Sequence, residues 1–153
     1  MVVTPLTASA VLALSKAAWK LGSSLSKLDQ DTKIDDTTIK NLAGEVKSLG
    51  NECDLVYAEL EEVASKSETG SPLPYDDDGR MWNCLATQVE ETSRTMQELE
   101  LFVKSVRWEG FSFVDHAQCQ RKLDKGNGQI ASIRTKVCRH TDNLRTTLLL
   151  INT

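Results

Sequence analysis

Three adjacent acidic residues are the first candidates for chemistry in this sequence. Asp76, Asp77 and Asp78 could together bind a divalent cation through their carboxylate oxygens. Their spacing does not match a calcium-binding loop, which separates its ligands and ends in a glutamate. We therefore expect these aspartates to stay solvated or to interact with the start of the following helix, and we expect no metal site.

Two further patterns suggest chemistry but lack the surroundings that it requires. Gly126, Gly128 and Ala131 match the spacing of a dinucleotide-binding motif, but a charged segment precedes them in place of a buried strand. His140 falls on an apolar helical face, which favours a hydrogen-bonded core residue over a catalytic base, and we expect it to meet Thr92 across the core or through water. The sequence contains no phosphate loop, nucleophile elbow or zinc-protease motif. We expect neither enzymatic activity nor a cofactor.

The four cysteines do not form a recognisable metal or disulfide framework. Cys53, Cys84, Cys119 and Cys138 lie far apart, without the paired spacing of a zinc site. Three of them fall in or beside apolar helical faces, where reduced cysteine behaves as a small buried residue. We expect reduced, structural cysteines, and this favours a cytoplasmic protein.

The composition indicates one soluble helical domain that covers residues 1–153. Of the 153 residues, 40% are hydrophobic and only 5% aromatic, and the β-branched residues are not gathered into alternating runs. The net charge is −4. A nucleic-acid partner is therefore not expected, because phosphate binding needs clustered basic residues.

Apolar residues recur at alternating intervals of three and four, which predicts four helices with one buried face each. The predicted helices span residues 4–28, 37–66, 78–107 and 116–152. Helices of this length, joined by such loops, favour an all-α fold that forms an elongated antiparallel four-helix bundle. We expect six apolar residues of the last three helices to share the core: Leu49, Val56, Leu85, Leu99, Val137 and Leu144.

The first 28 residues differ from the rest of the chain in charge. They contain three lysines and no acidic residue, or +3, whereas the remainder carries 22 acids against 15 bases, or −7. The lysines follow the apolar part, unlike those of a secretory signal, and the uncharged run is too short to span a membrane. Two interpretations stay open from the residues alone: an ordinary bundle helix, or an amphipathic helix that binds an anionic membrane surface. For the second, the membrane-facing candidates are Val11, Leu14, Lys16, Trp19, Lys20 and Lys27.

The helical pattern is carried by four segments that cover nearly the whole chain. They read "PLTASAVLALSKAAWKLGSSLSKL", "TIKNLAGEVKSLGNECDLVYAELEEV", "WNCLATQVEETSRTMQELELFV" and "IASIRTKVCRHTDNLRTTLLLIN". Together, and in this order, they resemble the fungal N-terminal domain of STAND proteins, the NLR-like immune receptors, in its HeLo-like group. The resemblance lies in diffuse helical patterns, so no residue-level chemistry transfers with it.

The resemblance implies a signalling or executioner domain of fungal programmed cell death, of the kind that acts in heterokaryon incompatibility and innate immunity. Similar bundles in necroptotic pseudokinases and plant resistosomes release an N-terminal helix toward the membrane on oligomerisation. The expected partners are therefore further copies of the chain or related helical domains, and anionic lipids after activation, with relocation from the cytoplasm to the plasma membrane. Two alternatives remain: a non-lytic adaptor or decoy that binds other bundles, and a coiled-coil scaffold.

Overall fold

The computed structural model consists of four α-helices in the part of the chain that it describes. The described residues are 5–32, 37–68, 80–106 and 126–152. The helices are α1 (Pro5–Thr32), α2 (Thr37–Glu68), α3 (Arg80–Val106) and α4 (Asn127–Asn152). At 1.5 Å per residue they are about 39 to 48 Å long. The predicted all-α four-helix bundle is confirmed, whereas residues 116–125 of the predicted fourth helix lie outside the described residues.

The buried face of each helix is the one on which apolar residues recur every three or four positions. α1 begins at Pro5, which suits a first helical turn because the N–H that proline lacks would have no intrahelical partner there. The core includes Leu25 and Leu28 of this helix. The six residues predicted for the core are all fully buried: Leu49, Val56, Leu85, Leu99, Val137 and Leu144.

The helices contact one another in a ring, in the order α1, α2, α4 and α3. Two interactions give the relative direction of α3 and α4. The Thr147 hydroxyl donates to the Gln88 side chain over 2.9 Å, and the Lys136 ammonium lies 3.0 Å from the Glu98 carboxylate. Because the residue number rises on one helix as it falls on the other, α3 and α4 are antiparallel.

Ion pairs show that α2 and α4 run in the same direction. Arg134 pairs with Glu45 at 3.0 Å, and Arg145 pairs with Glu52 at 3.1 Å. Two hydrogen bonds, from Trp19 to Asp54 and from Lys47 to Ser26, make α1 antiparallel to α2. The direction therefore alternates along the sequence. In the ring, however, α2 and α3 occupy opposite corners, and α1 lies beside α3 as a parallel neighbour. The spacing of apolar residues predicts which face is buried, but not its neighbours, because any helix with an apolar face can cover it.

His140 is a hydrogen-bonded core histidine, but its partner differs from the predicted one. Its Nε2 lies 2.8 Å from the hydroxyl of Thr95. Thr92 instead donates to the carbonyl of Gln88 in its own helix over 2.6 Å, so the direct contact predicted between Thr92 and His140 is replaced by that between Thr95 and His140. Burial, and then the charge of Arg139, lowers the pKa of His140. The imidazole is therefore neutral near pH 7.

The described cysteines are free thiols in two different environments. Cys53 is fully buried and packs as a small apolar residue, as predicted. Burial, followed by the charges of Asp54 and Glu52, raises its pKa to about 12. Cys84 and Cys138 are exposed, so the expectation that three of the four cysteines behave as buried residues is wrong. The fourth predicted member of this set, at position 119, lies outside the described residues.

Candidate functional site

The six membrane-facing candidates lie on different faces of α1. Val11 and Leu14 are buried in the core of the bundle. The other four are exposed: Lys16, Trp19, Lys20 and Lys27. The structure therefore does not bring the six residues together on one surface. The apolar candidates of α1 pack against other helices, whereas the basic candidates face solvent.

Three exposed lysines of α1 form no ion pair in the part of the chain whose side chains the structure describes. They are Lys16, Lys20 and Lys27, and the ion pairs among the described side chains involve other cations. Ion pairs instead join α4 to its neighbours, as between Arg134 and Glu45. The exposed face of α1 is consequently a basic surface, which we call the α1 basic face and define by these three lysines.

Asp54 of α2 binds two residues of α1 through its two carboxylate oxygens. The Ser15 hydroxyl donates to Oδ1, and the Trp19 indole Nε1 donates to Oδ2 across 3.0 Å. Ser15 is buried, so water could not replace the carboxylate as the acceptor of its hydroxyl if Asp54 were removed. The Trp19 side chain is 40% exposed, so its hydrogen bond to Asp54 contributes less to stability than that of Ser15. We call Ser15, Trp19 and Asp54 the Asp54 clamp.

A glycine on each of α1 and α2 leaves room for a side chain of the other helix to pack against its backbone. The indole of Trp19 lies against Gly50 of α2, where an added Cβ would be 3.0 Å from Nε1. Lys47 of α2 crosses Gly22 of α1, where a Cβ would be 2.7 Å from its Cγ, and donates to the Ser26 hydroxyl over 2.9 Å. A side chain at either glycine would push these groups away. The contacts also show that α1 and α2 are antiparallel.

The residues that hold α1 on α2 are only partly recognisable from the sequence. Ser15 and Trp19 are four residues apart and therefore share one side of the helix, which is a signal that they could share a partner. The sequence gives no corresponding signal for Asp54, because its position opposite them depends on how the two helices slide and rotate against each other. These contacts are long-range and follow from the tertiary packing.

Other kinds of site find little support. Within the described ranges, no helix is long and apolar enough to cross a membrane, and no group of three or more histidine, cysteine or acidic residues could hold a metal ion. The three aspartates at 76–78 lie outside these ranges. A comparison with protein-family models, with curated proteins and with solved structures finds no match. The candidate site therefore rests on the chain's own geometry.

Proposed function

We propose that this chain is a signalling or executioner domain of the HeLo-like type, which acts in fungal NLR-like cell death by oligomerising and transferring its first helix to a membrane. In this proposal the resting bundle is cytoplasmic, and an oligomerising trigger moves α1 to the anionic surface of the plasma membrane. The observation that carries the proposal is the division of α1 between a buried apolar face and the exposed α1 basic face. Such a division is typical of helices that lie in a membrane interface.

The free energies involved explain why a trigger is required. α1 buries five large apolar side chains: Val11, Leu14, Leu21, Leu25 and Leu28. At about 1.5–3 kcal/mol each, moving them into water would cost about 8–15 kcal/mol, which is comparable to the whole stability of a domain. The three lysines supply only about 1 kcal/mol each at an anionic surface. Charge attraction alone is too weak, so the apolar face must enter the lipid as it leaves the core.

Charge reversal on α1 tests the proposal. The triple variant Lys16→Glu, Lys20→Glu and Lys27→Glu is made in the full chain, fused to an inducible oligomerising domain. All three side chains are exposed, so folding should stay nearly intact. On induction, the parent is expected to bind and permeabilise vesicles that contain phosphatidylserine, and the variant is expected to do neither.

A matched variant separates the position of the charge from its amount. Lys40→Glu, Arg94→Glu and Arg139→Glu replace exposed cations of α2, α3 and α4, so both triple variants change the net charge from −4 to −10. The proposal requires that this control retain vesicle binding and leakage. Leakage at the parental level by the α1 variant contradicts the proposal, and so does an equal loss in both variants.

An adaptor function is the second candidate, and two exposed leucines near the end of α4 favour it. The side chains of Leu149 and Leu150 are 64% and 55% exposed, and a contiguous exposed apolar patch marks a protein-binding surface. An adaptor would bind another helical domain and leave vesicles intact after oligomerisation. Replacing both leucines with serine would then abolish partner binding. A coiled-coil scaffold predicts a stable oligomer without a trigger, which light scattering measures directly.

A further inference from the structure

A groove between α1 and α3 is not explained by the proposed function. Its volume of about 770 Å³ lies within the range of roughly 300–1,000 Å³ that small-molecule sites occupy. Its apolar lining includes Leu14 and Leu21 of α1, and Met96 and Val103 of α3. On α1 the lining residues extend from position 10 to position 24, which corresponds to about 21 Å along the helix. The groove is long enough for an extended aliphatic chain.

The charged residues of the groove all lie in one half of it. They are Lys20 on α1, and Glu100 and Lys104 on α3, and each belongs to the C-terminal half of its lining segment. Because α1 and α3 run in the same direction, these residues lie toward the same end of the groove. The other end is lined by uncharged residues, among them Ala10 and Ala13. One half of the groove therefore carries a net positive charge. The other half is uncharged and mostly apolar, with Ser93 and Gln97 as its polar lining residues, and we call it the apolar half.

Lys20 is the cation that a ligand would meet. The Lys104 ammonium pairs with Glu100 at 3.3 Å, whereas Lys20 makes no ion pair with any residue that the structure describes. The matching ligand has one aliphatic chain and one negative head group. We propose that this groove binds a single-chain anionic amphiphile of the fatty-acid class, with its carboxylate at Lys20 and its chain along the apolar half. This site goes beyond the proposed function and does not require α1 to leave the bundle.

Titration of the full chain with palmitate tests the site. Calorimetry, carried out below the concentration at which palmitate aggregates, is expected to give one site per chain. A second measurement locates that site in the fold. Met96 lines the groove, so the signal of its isotope-labelled methyl group is expected to shift in nuclear magnetic resonance spectra as palmitate is added.

Two matched pairs of variants test the two halves of the groove. Lys20→Gln is expected to weaken palmitate binding about fivefold, whereas Lys16→Gln, on the same helix but outside the groove, leaves it unchanged. Ala13→Leu fills part of the apolar half and is expected to weaken binding on the order of tenfold. Ala58→Leu adds the same side chain at an exposed position of α2 and leaves binding unchanged.

A neutral analogue completes the test. Palmityl alcohol has the same chain without the carboxylate, so it should bind the parent about as weakly as palmitate binds Lys20→Gln. Three results would each overturn the proposal. They are an absence of palmitate binding, a Met96 signal that does not shift on addition of palmitate, and equal palmitate affinities of Lys20→Gln and Lys16→Gln. Lys20 is exposed, so its variant decides the matter even if Ala13→Leu does not fold.

Discussion

Replacing Asp54 with alanine is expected to loosen α1 from the bundle while the other three helices stay folded. The substitution leaves the buried hydroxyl of Ser15 without its acceptor, at a cost of about 1–3 kcal/mol. It also removes the partner of the Trp19 indole, whose exposed bond adds about 0.5 kcal/mol. We therefore expect the free energy of unfolding to fall by about 2 kcal/mol.

Urea unfolding measures the total loss, and amide hydrogen exchange shows where it acts. Exchange is expected to accelerate in α1 more than in α4, because the Asp54 clamp holds only α1. Asp142→Ala is the control: it removes an exposed carboxylate whose nearest oxygen lies 3.5 Å from Arg145. Such an exposed pair contributes no more than about 0.5 kcal/mol.

The same change should promote the proposed transfer of α1 to lipid. Weakening the attachment of α1 by about 2 kcal/mol raises the equilibrium for its release about thirtyfold, so the oligomerised Asp54→Ala chain should bind anionic vesicles more tightly than the parent. A free energy of unfolding of Asp54→Ala that is no lower than that of Asp142→Ala would contradict the role given to the Asp54 clamp. So would hydrogen exchange that accelerates equally in all four helices.

Three further predictions concern the packing of the bundle, and urea unfolding measures each of them. Gly44→Ala is expected to raise the free energy of unfolding by about 0.5–1 kcal/mol, because an added Cβ meets no atom within 4 Å. Gly50→Ala should not be stabilised in this way, because its Cβ would meet the indole ring of Trp19. Leu99→Ala should cost about 2–5 kcal/mol, whereas Leu101→Ala, at a side chain 68% exposed, should change stability by less than about 0.5 kcal/mol. Folding lowers the pKa of His140, so the unfolded chain binds a proton more readily than the folded chain, and the free energy of unfolding should fall as the pH drops below about 6.5. In the variant His140→Gln this fall should be smaller. A variant with the same dependence of stability on pH as the parent would contradict the prediction.

The sequence predicts the buried face of each helix well, because the spacing of apolar residues reports directly on which side of a helix avoids water. The prediction extends to polar residues expected in the core, His140 and Thr92, which are both buried. The prediction does not include residues that immediately precede a member of the apolar face, such as Glu52, Thr95 and Phe102, which are also buried. Each helix contacts two neighbours in the ring, so its buried surface is wider than one apolar stripe.

The candidate site is only partly predictable for a related reason. The charge of the α1 basic face follows from local composition, and exposure of its lysines follows from their positions between the apolar ones. The Asp54 clamp and the groove depend on how α1 is placed against α2 and α3. No local pattern encodes that placement, because it results from the combined packing of all four helices.

Trp19 connects the two states that the proposed function requires. In the bundle its indole packs on Gly50 and donates to Asp54, yet the side chain stays partly exposed beside Lys16 and Lys20. A tryptophan with one apolar and one polar edge is also favoured at a membrane interface. On release of α1, it would exchange the carboxylate for polar groups at the lipid surface, so this residue costs little to move. The leucines on the opposite side cannot make that exchange in water, so in the proposed function they pass from the core directly into lipid.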